Sequence, residues 1–571
     1  SSFTHFEELC NEIIYEIFDY LDMYHVYDAF FNLNIRFRNL LLNFPFPIKI
    51  NMSLLSKRNC QSYYKQFIMP NINRIIYLHL WNPFIIGIVC ESLNNIWKFN
   101  RLETLILDNI HSLNLLDHLA SLWNLSSLII NEVEVLKNDY IPYSSIFRIR
   151  TLKYCKILCE TGYFTPLAIA SNKTSPIEHL VIDQMTGLKQ LTHLLSYVPH
   201  LRRLSINHLH GFDHRAITVF PKMLNKLTHV SLKLEYITFD EFEPIIKNFF
   251  HYLQVLRIST SVDIAYLNAN RWQKLILSDM IHLRIFDIEH SYYFKDHNNQ
   301  TIFSSLIKQF TSSFWIERGW YFVNQHSSRD GLNCGIFYSI QSRRKRDYIL
   351  SSEKDQNNHS NHVTSDFYLV HHVHIQNQSA MDNCSICFSN ADELTISIEE
   401  YMPCNSTIAI LNRIVSLEKL NKIIINGEHF PFDIVVKILC FTPNYSKLIL
   451  HSLLLNEIDR TSLKNDSTFR MTSNKNKITN LTVKSMCTLE EVKLFVELCP
   501  RLQHLSMKIL QEDFISTIKF LLSKHNNDTR DLLTLRIQNT GNIWFARVLI
   551  LLKSLELSGK IMGDHDYFLW W

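Results

Sequence analysis

The sequence predicts an α/β protein in which a short helical segment precedes a long array of units, each made of one strand and one helix. The first observation is a recurring apolar pattern, L-x-x-L-x-I, whose last positions alternate as a half-buried strand requires. The second is the helical spacing between these strands. It is clearest at Phe242, Ile245, Ile246 and Phe249, which fall at i, i+3, i+4 and i+7.

The apolar pattern recurs at a nearly constant interval. Its first residues lie at positions 75, 102, 125, 149, 177, 201, 227, 253 and 283, separated by 23 to 30 residues. Self-similarity at this period indicates a leucine-rich-repeat solenoid. Because one unit cannot bury its own apolar face, stacking is predicted to place parallel strands inside a curve and helices outside. The first array is predicted over residues 71–290.

The pattern lapses over residues 291–368 and then resumes. The lapse contains aromatic residues and β-like runs and ends in the polar tract EKDQNNHSNHVTS, so it predicts a strand-rich insertion with a polar loop. A second array is predicted over residues 369–571. Its last residues, DYFLWW, are predicted to pack as a cap over the final repeat, because an exposed tryptophan pair would form an aggregation or partner site.

Residues 6–42 contain three short apolar patterns, each of which predicts one helix. Such short helices bury little core by themselves, so their remaining apolar surface is predicted to need a neighbour. The segment also carries an ordered motif. Its pieces are Leu9, Cys10, Asn11, Glu12 and Ile13, then Ile17, Phe18, Asp19, Tyr20 and Leu21, then Phe30, Leu33, Asn34, Arg36 and Phe37.

In order, spacing and residue class these pieces resemble the F-box, the module that docks on the Skp-type adaptor of cullin–RING ubiquitin ligases. The chain departs from the family pattern at Cys10, where proline is usual. Proline is pre-organised for the first helical turn, so its loss is expected to soften the helix start without abolishing docking. The F-box is assigned to residues 1–44 and a connector to residues 45–70.

Together with the repeats, the segment resembles the leucine-rich-repeat class of F-box proteins. The resemblance implies a substrate receptor of an SCF-type ubiquitin ligase, which joins the adaptor and cullin complex, binds a protein target and does no chemistry itself. The alternative is a non-ligase repeat scaffold in which the F-box-like segment is a structural cap. The implied adaptor-binding residues are Leu9, Ile13, Ile17, Phe18, Leu21, Phe30, Leu33 and Phe37.

The middle residue of each strand pattern is predicted to face the ligand, because its two neighbours point into the core. This mixed surface suits a protein or peptide better than a phosphate backbone, unless the insertion partly fills it. The polar members of the predicted substrate-facing row are Ser205, Ser231, Arg257 and Asp287 in the first array and Thr482, Ser506 and Arg536 in the second.

Composition excludes several classes of function. A formal net charge of +3 argues against a dedicated nucleic-acid binder. The 11 glycines include no phosphate-loop motif, and no catalytic residue set or cofactor site is expected. The N-terminus is acidic and helical, so the 12 cysteines predict a reduced cytoplasmic or nuclear protein. No apolar run approaches the ~20 residues of a membrane-spanning helix, so no membrane association is expected.

Two side-chain clusters have alternative interpretations. Cys384 and Cys387 form a C-x-x-C motif, which could belong to a zinc knuckle; zinc needs four ligands, usually from paired motifs, so two ordinary thiols and no metal are predicted. The neighbouring candidate ligands are His371, His372, His374 and Cys404. The basic run Arg343–Arg346 is predicted to be a solvated turn, with a nuclear-import patch or an acidic or nucleic-acid partner as alternatives.

Overall fold

A computed structural model gives the fold of the chain. The chain divides into two compact units. The first consists of Ser1–Asn324 and Ile336–Ser339, and the second of Gln325–Gly335 and Ile340–Trp571. The structure describes residues 6–570 except 53–54, 56, 82, 91–92, 109, 111–113, 132–142, 164–173, 212–223, 262, 295–302, 304, 330–331, 341–346, 351–369, 385, 399–403, 427–429, 443–444, 452–465, 523–528, 530 and 539–566.

In the part of the chain that the structure describes, the first sheet has twelve strands in the order β1 to β10, then β12 and β11. Strands β1 to β10 are parallel, each paired with its predecessor in the sequence. The strands are β1 Ile48–Asn51, β2 Ile75–Trp81, β3 Thr104–Asp108, β4 Ser127–Asn131, β5 Tyr154–Tyr163, β6 His179–Gly187, β7 Arg203–His210, β8 His229–Glu235, β9 Val255–Ser261, β10 Ile285–Phe294, β11 Tyr321–Arg329 and β12 Leu332–Ile340.

Over the described residues, the second sheet has nine strands in sequence order. Strands β13 to β20 are parallel, and β21 closes the sheet by pairing antiparallel with β20. The strands are β13 Asp347–Leu350, β14 His372–Ile375, β15 Glu393–Ile396, β16 Lys422–Ile425, β17 Lys447–Leu450, β18 Asn480–Cys487, β19 His504–Ile509, β20 Thr534–Ile537 and β21 Tyr567–Trp570.

Helices occupy the chain before and between the strands. The N-terminal helices are α1 Asn11–Asp19, α2 Met23–Phe30 and α3 Ile35–Leu42. A helical stretch, Lys57–Tyr63 continued by Tyr64–Ile68 and Met69–Arg74, follows β1. Further α-helices in the described part of the chain include Pro83–Cys90, Asn114–His118, Tyr143–Ile146, Leu188–Tyr197, Phe239–Phe249, Ala269–Asp279, Ser313–Glu317, Gln378–Asn383, Cys404–Ile414, Phe432–Cys440, Ser467–Lys475, Leu489–Leu498 and Phe514–Leu521. None of the helices in the described part of the chain has the length and apolar character needed to cross a lipid bilayer.

One repeat shows why this sequence forms this unit. In β8 the side chains alternate, so that Val230 and Leu232 are buried while Ser231 between them lies on the open face of the sheet. The helix Phe239–Phe249 begins at a capping box in which the Thr238 hydroxyl accepts from the Glu241 amide and the Glu241 carboxylate accepts from the Thr238 amide. Its buried face, at helical spacing, covers the core side of the sheet.

A repeated backbone contact fixes the register between units. Just before many of the strands, one carbonyl oxygen accepts two consecutive amide groups from the next unit; the Glu103 carbonyl, for example, accepts from the amides of Ser126 and Ser127, both at 2.9 Å. We call this contact the double-amide clasp. It satisfies polar backbone groups at the point where each chain segment joins the sheet. Other accepting carbonyls are those of Ser126, Lys153, Glu178, Arg202, Thr228, Gln254, His371, Asp392, Ser446, Thr479 and Gln503.

The nine strands predicted in the first array are present as β2 to β10. The sheets extend beyond the predicted arrays, however. Strand β1 lies in the predicted connector, and β11, β12 and β13 lie in the predicted insertion. The second sheet begins at Asp347 rather than near residue 369, because Tyr348 takes the buried position that Val373 holds in the next strand. The polar tract 353–365 lies outside the described residues.

Candidate functional site

The polar residues of the N-terminal motif hold the segment together. The Asn34 side chain caps α3 by accepting from the Phe37 amide at 3.0 Å. The Arg36 guanidinium donates to the Leu9 carbonyl at 2.6 Å, to Asn11 Oδ1 at 2.8 Å and to the Glu7 carbonyl. These bonds fasten the start of α1 to α3, so Asn34 and Arg36 have structural roles within the segment.

The predicted adaptor-binding residues separate into a core set and an exposed set. Phe18 and Phe37 are fully buried, so the prediction that they contact an adaptor is corrected: each packs against Phe30, with ring centroids 5.1 and 5.3 Å away. Phe30 itself is half-buried, as are Leu9 and Ile17. The sequence could not make this separation, because core and surface residues occupy neighbouring stripes of the same short helices.

Three of the predicted residues form exposed apolar surface. Ile13, Leu21 and Leu33 expose 44%, 47% and 53% of their side chains. Tyr20 and Ile35, which were not among the predicted residues, are even more exposed. Ile13 and Ile17 lie four residues apart on α1 and therefore share one stripe of the helix. The outside of the segment is thus more apolar than solvation alone would favour.

Helix α2 packs against residues of the predicted connector, which contains β1 and the helical stretch that follows it. Its Tyr27 hydroxyl donates to Gln66 Oε1 at 2.8 Å, and its Tyr24 ring meets the buried Tyr63 ring edge-on, with centroids 5.4 Å apart. Burial raises the pKa of Tyr63 well above its usual value, so this hydroxyl stays protonated. Helix α2 also contacts β1, the first strand of the sheet. The N-terminal segment therefore packs against the helical stretch after β1 and against β1 itself.

The first sheet brings its predicted substrate-facing residues into one row. Ser205, Ser231, Arg257 and Asp287 are register partners on successive strands β7 to β10, and all four are half-buried. The Arg257 Nε and Asp287 Oδ2 atoms lie 3.9 Å apart. Asp287 also accepts a hydrogen bond from Ser339, which anchors β12 beside β10. At this end of the row, the charged side chains of Arg257 and Asp287 therefore contact groups of the protein itself.

The second sheet likewise places its predicted substrate-facing residues side by side. Thr482, Ser506 and Arg536 are register partners on β18, β19 and β20. The Gln538 amide donates to the Ser506 hydroxyl at 2.9 Å. The final register partner is Phe568 on the antiparallel strand β21. Backbone pairing thus lines up these three half-buried side chains on the open face.

A compact polar cluster on the first sheet was not predicted. On adjacent strands β7 and β8, His208 Nδ1 lies 3.0 Å from Glu235 Oε1, and His210 Nε2 lies 2.6 Å from Glu235 Oε2. Burial acts to raise the pKa of Glu235, but the hydrogen bond from His208 and the charges of His210 and Lys233 outweigh it and lower this pKa. The available signal was the H-x-H pattern at 208–210, with a carboxylate one repeat later.

The described cysteine and histidine side chains around residue 384 do not form a group of three possible metal ligands, and the side chain of Cys404 lies outside the described part. Cys384 is buried and its thiol donates to the Ile386 carbonyl at 3.4 Å, while Cys387 is exposed. His372 pairs instead with the Thr395 hydroxyl. Among the described residues, the group with three or more side chains close enough to share a metal ion is that of His208, His210 and Glu235. The basic run Arg343–Arg346 lies outside the described part.

Comparisons with known proteins identify no family. No protein-family model matches the chain, and no curated protein matches it. Among solved structures, the chain is similar to one in the crystal structure of a TLR13–ssRNA13 complex, with 13% identity and a TM-score of 0.25. The match covers 82% of this chain and 56% of that one. At this level of similarity the α/β architecture is read from the strands and helices of the chain itself.

Proposed function

We infer that the chain is a repeat-based interaction protein that serves as the substrate receptor of an SCF-type ubiquitin ligase. In this proposal the N-terminal segment docks on a Skp-type adaptor, and the open faces of the sheets bind a protein target. The observation that carries the proposal is the division of labour within the motif. Asn34 and Arg36 are engaged internally, whereas the apolar Ile13, Leu21 and Leu33 are exposed.

Exposed apolar side chains on short helices favour a protein partner over solvent. Burying a leucine or isoleucine side chain in an interface contributes about 1.5–3 kcal/mol to the binding free energy, because its apolar surface is removed from water. The hydrogen bonds of Arg36 join the start of α1 to α3, which restrains the exposed residues of both helices before binding. Such pre-organisation lowers the ordering cost of association.

The receptor would act by proximity rather than chemistry. Holding a target near the ubiquitin-loaded enzyme turns a bimolecular step into an intramolecular one at high effective concentration. The substrate-facing rows support a protein target, because serine, threonine, arginine and aspartate offer donors and acceptors at the spacing of neighbouring strands, about 4.8 Å. With a net charge of +3, the chain lacks the excess positive charge typical of a phosphate-backbone binder.

The test is a pull-down of a purified Skp-type adaptor by the full-length chain and by the variant Ile13→Asp/Leu33→Asp. A charge in an apolar interface is costly to bury, so we expect the wild type to bind and the variant to lose binding. The matched control is Leu277→Asp, which places a charge at a leucine of equal exposure, 53%, on the helix Ala269–Asp279. All three proteins must give the same circular dichroism spectrum.

Two outcomes would overturn the proposal. The first is failure of the wild type to bind the adaptor under conditions in which another F-box protein binds it. The second is binding of the double variant as tight as that of the wild type. Equal loss in the Leu277→Asp control would show that the effect is general rather than local.

A second function is favoured by the packing of α2. Because Tyr27 and Tyr24 pack against the helical stretch after β1, the segment would also serve as a structural cap in a repeat scaffold with no ligase role. This alternative predicts that the adaptor never binds. It also predicts that truncating Tyr27 destabilises the first sheet, whereas Asp substitutions at Ile13 and Leu33 leave every interaction of the chain unchanged.

A further inference from the structure

Strand β7 contains one more residue than its neighbour β8 at the same level of the sheet. Ile206 pairs with Leu232 and Leu209 with Leu234, so two residues of β7 lie opposite the single residue Lys233. This is a β-bulge, which bends the strand and redirects its side chains. As a result His208 joins the open face, although strict alternation from the buried Ile206 would place it in the core.

The bulge brings two histidines onto one carboxylate. His210 is the direct register partner of Glu235 across the strand pair, and His208 approaches the same carboxylate from the bulge. The imidazole nitrogens and the carboxylate oxygen all lie within 4.8 Å of one another. Two ligands of one tetrahedral zinc ion, each about 2.1 Å from the metal, are about 3.4 Å apart. Small side-chain rotations therefore convert the hydrogen-bonded cluster into a coordination shell.

A further carboxylate orients the more exposed histidine. Asp183, on the adjacent strand β6, has its Oδ1 atom 3.3 Å from His208 Nε2. In the metal-bound state, Nε2–H is directed at Asp183, and Nδ1, having released the proton that it shares with Glu235 in the metal-free cluster, offers its lone pair to the ion. Metal-ligating histidines commonly donate their second N–H to a carboxylate in this way, which fixes the tautomer and raises the basicity of the ligand nitrogen.

The backbone around the cluster is tightly constrained. Tyr236, directly after Glu235, has a φ angle of 57°, which is rare for a residue with a side chain, and its ring stacks on His210 at a centroid distance of 6.2 Å. Gly211, directly after His210, approaches so closely that a β-carbon would clash with the Tyr236 carbonyl oxygen. These contacts hold the ends of β7 and β8 together, so the ligand positions are largely fixed before any ion arrives.

We propose that His208 Nδ1, His210 Nε2 and a Glu235 carboxylate oxygen bind a Zn²⁺ ion on the open face of the first sheet. Two imidazoles and one carboxylate form a known zinc ligand set, in which the fourth position is taken by water. Imidazole ligands favour zinc and neighbouring transition metals over Mg²⁺ or Ca²⁺, which require oxygen ligands. The site is independent of adaptor docking by the N-terminal segment.

One neighbouring cation opposes the ion. Lys233 Nζ lies 3.4 Å from Glu235 Oε1, and its side chain is half-exposed. Zinc binding must displace this ammonium from the carboxylate, and the remaining positive charge repels the ion. Lys233→Ala retains all three ligands, so it is expected to bind zinc more tightly than the wild type. A cluster that is only a hydrogen-bonded ladder predicts no such gain.

The experiment measures zinc binding to the full-length chain after removal of metals with a chelator. Isothermal titration calorimetry in the presence of a competing weak chelator gives affinity and stoichiometry, and Co²⁺ absorption in the visible range reports four-coordinate geometry. We compare the wild type with His208→Gln/His210→Gln, Glu235→Gln and Asp183→Asn. The matched control is His79→Gln, which removes a histidine paired with Asp108 at 2.6 Å on the same sheet but outside the cluster.

We expect one equivalent of zinc in the wild type, loss of affinity by more than about 100-fold in the double variant and in Glu235→Gln, and a loss of about 10–100-fold in Asp183→Asn. His79→Gln should bind as the wild type does. Absence of a saturable one-equivalent site in the wild type would overturn the proposal. Zinc held by the chain's thiols would persist in the double variant, so persistence would overturn it too. If the double variant does not fold, Glu235→Gln and Asp183→Asn decide.

Discussion

The two sheets are built from the same strand-and-helix unit, but they differ in what they bury and in what their histidines contact. In the first, large aromatic side chains contact one another in the core, as where the Phe286 ring lies 5.0 Å from the Trp272 ring and 5.7 Å from the Trp315 ring, measured between centroids. The core of the second sheet consists mainly of branched aliphatic side chains. The repeat thus constrains the spacing of the backbone but not the kind of apolar side chain that fills each layer of the core.

The polar partners differ in the same way. On the first sheet His79, His208 and His210 contact carboxylates. On the second, His372, His374 and His504 contact the hydroxyl groups of Thr395, Ser397 and Thr534. A carboxylate favours a protonated or metal-bound imidazole, whereas a hydroxyl group can donate or accept and suits the neutral ring. The division is not complete, since His371 lies 3.4 Å from Asp392 next to the second sheet and His290 contacts the Thr260 hydroxyl on the first. The feature that distinguishes the first sheet is the pair of histidines that share the Glu235 carboxylate.

The largest expected effect tests the aromatic core of the first sheet. Trp272 is fully buried in the helix Ala269–Asp279, and its indole N–H donates to the Tyr266 carbonyl at 2.9 Å. We expect Trp272→Ala to lower the free energy of unfolding by about 3–5 kcal/mol, measured by urea denaturation. Trp123→Ala removes an exposed tryptophan of the same unit and should cost less than about 0.5 kcal/mol. Similar losses for the two would contradict the assignment of the core.

The next effect concerns a first-sheet histidine with a hydroxyl partner. His290 is fully buried, its Nδ1 lies 2.7 Å from the Thr260 hydroxyl, and burial lowers its pKa to about 4 from 6.5. The unfolded chain therefore binds an extra proton between these values, so stability falls as the pH falls from 6.5 to 4, by about 2–3 kcal/mol from this group. Above pH 6.5 its contribution is complete.

Urea denaturation at pH 7 and pH 4.5 checks this expectation. His290→Gln should lose less stability between the two pH values than the wild type does. His504→Gln is the second-sheet counterpart, because burial lowers the pKa of His504 to about 4 as well. Identical acid sensitivity in the wild type and both variants would show that hydroxyl-paired histidines do not set the pH dependence of either sheet.

A smaller effect tests a hydrogen bond in the second core. The buried Tyr445 hydroxyl accepts from the Ile423 amide at 3.0 Å and donates to the Ile423 carbonyl at 3.1 Å. Tyr445→Phe removes a partner from both buried backbone groups and should cost about 1–3 kcal/mol in urea denaturation. The same change at the exposed Tyr252 should be nearly neutral. A neutral result at Tyr445 would mean that aliphatic packing alone sustains this layer.

The smallest effect lies on the open face of the second sheet. Lys422 Nζ contacts Glu393 Oε2 at 2.8 Å, and both side chains are about one-third exposed. We expect Lys422→Ala to cost about 0.2–1 kcal/mol at low ionic strength, since solvent screens such pairs. The loss should shrink in 1 M salt, where the Debye length is about 3 Å. A loss that is large and insensitive to salt would show that the pair is part of the core.

The apolar period of the sequence was sufficient to predict the nine strands β2 to β10, because buried leucine and isoleucine positions repeat wherever one unit stacks on the next. Strand β13 was predicted as a β-like run at Asp347–Leu350, but it was assigned to the insertion rather than to the second sheet, since an aromatic residue, Tyr348, replaces the usual aliphatic one. Strand β1 was missed for a different reason: residues 48–51 are a single short strand before the first recognised unit, and one strand has no period of its own.

The candidate sites were harder to predict. The rows on the open faces follow from strand alternation alone, so their members were correctly brought together, as for Ser205 and Ser231. The cluster at Glu235 depends on a bulge in β7, and a bulge changes which face a residue occupies without leaving an apolar signature. Burial of Phe18 depends on the packing angles of three helices, which spacing within one helix does not determine.

The double-amide clasp has a consequence for how such a chain changes over evolutionary time. The carbonyl oxygens of Glu103, Lys153 and Glu178 each accept hydrogen bonds from the following unit immediately before its strand. The register between such units is therefore fixed at one short position in each unit. Residues gained or lost in the helical half leave that position untouched. When one whole unit is duplicated or deleted, the two amide groups at the start of a unit meet the equivalent carbonyl of a different unit. Lineages can therefore lengthen, shorten or diversify the array by recombination without first inventing a new junction.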